Sequence, residues 1–342
     1  MGMQVEMLIT EGSETDSRKV EVDNPFDPYL FHAEMPLSGV YFPLGFPLLV
    51  TTNSAEILEA AQESWGACRQ QFDIPPLRLH LGVLEGDSNA LPPDPVSRAQ
   101  GHLMSKIADK DNFYVADLMQ GFTFGWFTRA TVSRLNYFRF HFLDAAVLSH
   151  IANRHTTPIH AACVEWNGHG VLLCGDSGAG KSSLAFACAR AGSTYVADDA
   201  SFVLNGRNDR QVVGNCHMIR LRPSASELFD EVAGKAITPR VAGKPSIELS
   251  TSTIPGIRTA TFCEIDYVVF LNRGKTNSQE LTGFPKEVAR HYMHKHLCGL
   301  EEFRRSQIAS VERMLNAEVF ELRYRGLEWA ADRLERLVRE RG

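Results

Sequence analysis

Long runs of one character are what this sequence lacks. No Lys/Arg cluster occurs, and the formal net charge over 342 residues is −6, which argues against nucleic acid as a principal partner. No apolar run approaches the roughly 20 residues that a membrane-spanning helix needs. The most apolar early stretch, GVYFPLGFPLLV (39–50), is broken by two prolines and Gly45. The N-terminus shows no basic-then-apolar signal pattern, so no membrane partner is expected and a cytoplasmic location is. Cysteine is scattered: seven residues, an odd number, with no C-x-x-C pair. That pattern speaks against a disulfide framework or a cysteine zinc site and predicts buried, reduced thiols. Internal repeats, low-complexity tracts and the guanine-reading N-K-x-D tetrad are also absent. What is present, at 44 % hydrophobic and 22 % charged residues, is globular material long enough for two domains.

The pattern changes near residue 135. The first two dozen residues are polar and acidic and predict an edge strand or a loose lead-in. FPLLVTTNSAEILEAAQESWGAC (46–68) reads as a strand, a helix start at Asn53/Ser54 and an amphipathic helix. LRLHLGVLEG (77–86) alternates as a strand does, and SNALPPDPVSRAQG (88–101) reads as a proline-rich loop. NFYVADL, GFTFGWFT and ATVSRL predict an antiparallel meander. Residues 1–135 are therefore expected to form an α+β domain whose role the sequence does not disclose.

Residues 136–342 are expected to form an α/β domain in which strands and helices alternate around a glycine loop. FRFHFLDAAVLSHIANRH (138–155) predicts a helix leading into it. Asn167-Gly168, between two apolar runs, predicts a hairpin. KSSLAFACARAG reads as a helix closed by Gly192, and TYVADDASFVL (194–204) as one strand holding two carboxylates. IDYVVFL and VFELRY predict strands, PKEVARHYMHKHLC (285–298) a helix, and the C-terminus an amphipathic helix with Leu327, Ala331, Leu334 and Val338 on one face.

LLCGDSGAGKSSLAF (172–186) admits two readings. GDSG surrounds the nucleophile of trypsin-like proteases, with Ser177 as that serine and His160 upstream. Such an enzyme needs an all-β double barrel and a buried aspartate between histidine and serine. Only Glu165 and Asp176 are acidic between His160 and Ser177, and both are too local to orient that histidine. The second reading is G-x-x-x-x-G-K-[ST], formed by Gly175, Asp176, Ser177, Gly178, Ala179, Gly180, Lys181 and Ser182, with Ser183 following. Small residues let successive N–H groups turn onto phosphate oxygens, and the helix that follows favours the anion through its dipole. Lys181 would reach the β- and γ-phosphates, and Ser182 would place its hydroxyl on Mg²⁺. The strand and helix this motif demands are both predicted, so the phosphate reading prevails.

Asp198 and Asp199 end a strand beginning about a dozen residues after Lys181. One can hold the Mg²⁺ shell while the other accepts the proton of an attacking hydroxyl, as phosphoryl transfer requires. A metal pair without a base, as in a regulatory NTPase, is the alternative. His160, on the strand predicted to pair with the one feeding the loop, either faces the phosphates or is structural.

The segment HAACVEWNGHGVLLCGDSGAGKSSLAFACARAGSTYVADDASFVL (160–204) resembles the catalytic domain of bacterial HPr kinase/phosphorylase and its kinase-like relatives. A histidine fifteen residues before the loop, GDSG-x-GKS itself and ADD after the next strand carry the likeness. The resemblance implies a P-loop fold of the phosphoenolpyruvate-carboxykinase-like type, ATP with Mg²⁺, and phosphorylation of a serine hydroxyl. By position, Lys181 matches the phosphate-binding lysine and Ser182 the metal ligand. Asp199 matches the carboxylate that takes the serine proton, His160 the active-site histidine, and Asp198 its acidic neighbour. Where the family carries an L-E-x-R-G-type segment, this chain reads HMIRLRPSASELF (217–229). Arg220 or Arg222 stands nearest the signature arginine, no glutamate takes its place, and Glu227 lies farther along. Lys244 and Arg258 are candidate phosphate clamps, and the N-terminal domain does not resemble that of the HPr enzymes.

The expected function is an ATP- and Mg²⁺-dependent kinase acting on a hydroxyl, with a serine of a protein or peptide as the first acceptor and a small hydroxyl compound as another, and the reverse phosphorylase activity is left open. Asp199, Lys181 and His160 carry the catalysis, and Ser182 and Asp198 hold the metal. A nucleotide-binding regulatory ATPase is the alternative, with a pseudo-kinase as a third reading, and a homo-oligomer is compatible with any of them. Three lesser features receive plain readings. His291, His294 and His296 do not share one helix face and predict a half-exposed basic helix. LEEFRRSQ (300–307) predicts a solvated face, and the aromatic run 122–142 predicts core packing.

Overall fold

Apolar residues at alternate positions of LRLHL make a strand with one buried face, and in the computed structural model it lies inside the first of two large sheets. The structure describes residue 30 and residues 33–84, 90–238, 245–273, 278–295, 297 and 300–341. The polar lead-in, Lys244, His296 and Cys298 lie outside the described residues. The chain divides into two compact units, Met1–Arg154 and His155–Gly342. Among the described residues, no helix is long and apolar enough to cross a membrane.

The first unit contains β1 (Leu37–Tyr41), β2 (Leu48–Thr52), α1 (Ala55–Trp65), β3 (Leu77–Leu84), β4 (Val96–Gln100), β5 (Leu103–Ile107), β6 (Phe113–Asp117) and β7 (Phe122–Thr128). Its sheet has the order β1-β2-β3-β7-β6-β5-β4. Strands β4 to β7 form an antiparallel meander, of which β6 and β7 are the two strands expected from NFYVADL and GFTFGWFT, while β2, β3 and β7 run parallel. The end of the proline-rich segment is a strand, because pairing becomes possible once Pro95 has passed. ATVSRL is helical instead of extended, as α2 (Arg129–Val132), whose first turn is capped by the Thr128 hydroxyl accepting from the Thr131 N–H. That local bond outweighs the β-propensity of Thr131 and Val132.

The helical segment expected over 138–155 is present as α3 (Leu135–Phe138), α4 (Asp144–His150) and the wider turns around them. It belongs to the first unit. Phe138 and Phe142 pack edge-on or tilted against Phe127, and Phe142 against Tyr114. The division between units therefore follows Arg154, after this aromatic cluster, and not residue 135. The aromatic run also splits: Phe127, Phe138 and Phe142 are buried, whereas Phe124 and Phe140 are 42 % and 40 % exposed.

The second unit begins with β8 (Thr156–Ile159), β9 (Ala161–Trp166), β10 (His169–Cys174), α5 (Lys181–Arg190), β11 (Thr194–Ala197), β12 (Ser201–Leu204) and β13 (Gln211–Gly214). It continues with β14 (Met218–Leu221), β15 (Ile247–Ser250), β16 (Arg258–Thr259), β17 (Phe262–Asn272) and β18 (Glu280–Gly283). It closes with α6 (Lys286–Lys295), α7 (Glu301–Met314), β19 (Glu318–Arg323) and α8 (Leu327–Arg341). Ten strands make a mixed sheet along β16-β11-β9-β10-β17-β13-β12-β8, with β19 beside β17 and β18 beside β19. Strands β10, β17 and β19 run parallel, and β14 pairs β15 apart from the main sheet. The hairpin β9–β10 turns at Asn167 and Gly168, whose φ values of 53° and 87° are the pair a two-residue type I′ turn needs.

Apolar runs without alternation form strands buried on both faces. Val171 and Leu173 of β10 enter one core with Leu184 of α5 and Leu334 of α8. Leu172 and Cys174 enter the opposite core with Met293 of α6 and Met314 of α7. The sheet is thus covered on both sides, an α/β arrangement with β10 in its interior. In α7, Phe303 and Gln307 are buried while the charged residues Glu301, Glu302, Arg304 and Arg305 are exposed, as that charged stretch predicts.

Candidate functional site

Residues 175–180 carry the chain from β10 into α5. Gly175, Gly178 and Gly180 have φ values of 150°, 95° and 96°. At Gly180 a Cβ would also meet the Tyr324 hydroxyl at 2.6 Å, so conformation and space both require glycine there. Asp176, Ser177 and Gly178 are exposed, while Ala179, Gly180, Ser182 and Ser183 are half-buried. The first backbone bond of α5 runs from Leu184 N to Gly180 O at 2.8 Å. The N–H groups of Lys181, Ser182 and Ser183 therefore have no acceptor inside the helix and add to its positive end.

Lys181 is buried and donates from Nζ to Gly175 O at 2.7 Å and to Asp176 O at 3.2 Å. Burial lowers its pKa, against the opposing influence of Asp199, Cys174 and Asp176. Ser182 Oγ donates to Asp198 O at 3.1 Å, which joins the start of α5 to the aspartate pair.

That pair does not lie within one strand. TYVADDASFVL is two strands, and Asp198 and Asp199 sit at the bend where the chain leaves β9 as partner and joins β8 and β13. His160 likewise lies at a bend, between β8 and β9, and not on the strand beside β10. Because β11 pairs β9 and β12 pairs β8, the two bends face each other. His160 Nδ1 consequently lies 3.0 Å from Asp199 O and 3.4 Å from its carboxylate.

The neighbouring carboxylates have opposite environments. The Asp199 side chain is 55 % exposed and acts electrostatically on Lys181, whereas Asp198 is buried at 7 %. Asp198 Oδ2 accepts the Arg220 backbone N–H at 2.5 Å, and Arg220 Nε donates to Glu248 Oε1 at 3.0 Å across the β14–β15 pair. Burial pushes the Asp198 carboxyl up to about 6, with the Arg220 N–H and guanidinium opposing. An aspartate at about 6 when folded and near 4 when unfolded takes up a proton on folding between those values. Its ionised form costs stability in full above pH 6, and the cost is relieved as pH falls toward 4. In metal-free buffer the unfolding free energy of the native chain should rise relative to Asp198→Asn by about 2–3 kcal/mol between pH 7 and pH 4. Denaturant titrations at each pH measure it, and parallel curves for the two proteins would refute the assignment.

Of the other basic candidates among the described residues, Arg220 reaches the site, through its N–H on Asp198. Arg222 and Glu227 are exposed. The Arg258 guanidinium bonds Gly192 O, just beyond the far end of α5 and roughly 15 Å from the glycine loop by helix length; it does not clamp there. His294 Nε2 lies 3.3 Å from Glu312, and His291 is exposed. The unit is a mixed α/β sheet, so the all-β barrel demanded by the serine-nucleophile reading is not what surrounds Ser177.

Three residues at the loop carry no local signal in the sequence. Tyr292 Oη donates to Gly175 O at 2.7 Å and Tyr324 Oη to Ala179 O at 3.0 Å, from 117 and 145 residues away. Arg273, just past β17, brings its Cδ within 3.7 Å of where a Gly180 Cβ would lie. For Mg²⁺ the donor set fits: a serine hydroxyl and a carboxyl whose ionised form burial disfavours, which a cation would favour again. Among the described residues no three His, Cys, Asp or Glu side chains gather into a cage. Mg²⁺ in phosphoryl-transfer sites commonly takes only one or two carboxylates, with phosphates supplying further ligands.

No curated protein matches the chain. Among solved structures, the HPr(Ser) kinase/phosphatase from Coxiella burnetii is similar at 14 % identity and a TM-score of 0.31, over 54 % of this chain and 99 % of that one. Residues 151–222 match the family model of the HPr Serine kinase C-terminal domain. That segment contains His160, the glycine loop, Asp198, Asp199 and Arg220, and over it this chain is similar to the HPr kinase-like family, as the motifs of residues 160–204 indicate.

Proposed function

We propose that the second unit is a P-loop phosphotransferase that moves the γ-phosphate of ATP, with Mg²⁺, to a hydroxyl, with a serine of a protein or peptide as the favoured acceptor. The observation that carries this reading is the contrast between adjacent carboxylates: Asp198 buried against Arg220, Asp199 exposed beside His160 at the loop. Environments that separate two carboxylates divide acid–base work between them. A switch ATPase has no need of an exposed base there.

The loop amides and the first turn of α5 bind phosphate oxygens. Lys181, already inside the loop, exchanges the carbonyls of Gly175 and Asp176 for the β- and γ-phosphates. Ser182 and Asp198 would hold Mg²⁺, which supplies neutralisation of charge on those phosphates. Asp199 accepts the proton of the acceptor hydroxyl as its oxygen bonds to the γ-phosphorus and the bond to the β-phosphate oxygen breaks, releasing ADP. His160 orients Asp199 through its carbonyl and carboxylate.

Purified protein incubated with γ-labelled ATP and Mg²⁺, with HPr and with serine-containing candidate proteins, should place label on an acceptor in an alkali-labile linkage. ATP turnover without any labelled acceptor would support a regulatory ATPase instead.

A further inference from the structure

We infer that Tyr324 and Tyr292 are positioning residues that hold the carbonyls of the glycine loop toward the protein and so present its amides to phosphate. The inference rests on the phosphate-binding reading of that loop and adds the residues that shape it.

Tyr324 follows β19, is 1 % exposed, and belongs to the core shared by α5 and α8. Its hydroxyl approaches from that core and donates to Ala179 O. In a trans peptide the C=O and N–H point in opposite directions. Drawing the Ala179 carbonyl inward therefore turns the Gly180 N–H outward. Tyr292 comes from α6, on the other side of the sheet, where its ring packs edge-on against Phe270 with centroids 5.2 Å apart. It donates to Gly175 O, which Lys181 Nζ also reaches, and the Asp176 N–H is turned away by the same geometry. Donors from the two faces of the sheet thus hold opposite ends of the loop. Burial pushes both phenols up to about 12, so each remains a protonated donor near neutral pH. Lys181 must release Gly175 O to meet a phosphate, and Tyr292 leaves that carbonyl with a partner when it does.

Tyr324→Phe keeps the packed ring and removes only the donor. Binding of Mg-ATP, followed by calorimetry, should weaken about tenfold in Y324F, as expected for one lost orienting bond, and less in Y292F. Leu334→Ala, in the same core but away from the loop, should lower the unfolding midpoint yet leave ATP affinity unchanged. In ¹⁵N spectra the Gly180 amide should shift downfield on adding ATP to the native protein and clearly less in Y324F, with Ser183 responding in both. Native affinity in Y324F and Y292F, or an equal loss in L334A, would overturn the inference while leaving the phosphate loop intact. If Y324F does not fold, Y292F carries the same test from the opposite layer. A native protein that binds no ATP would overturn the loop reading itself.

Discussion

Asp199→Asn is expected to lower phosphoryl transfer by about 10²–10⁴-fold. Asparagine matches the carboxylate in shape but cannot take a proton from an attacking hydroxyl. The contact from His160 to the backbone carbonyl of residue 199 does not depend on the side chain, so the bend should survive. Asp199 is also exposed, so its replacement leaves no buried group unpartnered. ATP affinity should therefore change by no more than about threefold, which places the loss in kcat and not in binding. Labelled transfer to a fixed acceptor, measured with ATP binding on the same samples, separates the two. Transfer that persists at the native rate would remove Asp199 as base, and a matching collapse of binding would make it a phosphate-site residue.

Lys181→Met should be nearly as severe, through a different step. Methionine fills most of the buried volume but supplies no charge, so ATP affinity should fall about 10²-fold and transfer by about 10³-fold. Stability should move the other way. Burial depresses the Lys181 pKa, so its charged form costs folding free energy at neutral pH. Gly175 O keeps the Tyr292 hydroxyl as a donor after the substitution. In nucleotide-free buffer Lys181→Met is thus expected to unfold at or above the native midpoint, while the stabilisation that ATP gives the native chain disappears. Thermal unfolding with and without Mg-ATP measures both, and a variant as readily stabilised by ATP as the native protein would rule the lysine out.

Lys181 belongs to a motif legible without coordinates. Three glycines, a lysine and a serine at fixed spacing, between an apolar run and a helical pattern, specify a strand, a left-handed loop and a helix start from local sterics alone. The Asn167-Gly168 turn and the final amphipathic helix follow from the same short-range logic. The sequence alone therefore determined that residues 175–180 form a glycine loop leading into α5. It did not determine that His160 meets Asp199. That contact arises because two strands change partners at facing bends, and TYVADDASFVL, read along the chain, looks like one uninterrupted strand. Nor did it separate the two aspartates: Asp198 is buried because β14 places the Arg220 N–H against it. Tyr292 and Tyr324 reach the loop from more than a hundred residues away. Local periodicity decides which residues extend or coil, but strand pairing and layer packing depend on which distant surfaces bury one another. Only the tertiary structure, by bringing those surfaces together, set an exposed Asp199 beside His160 and a buried Asp198 against the first turn of α5.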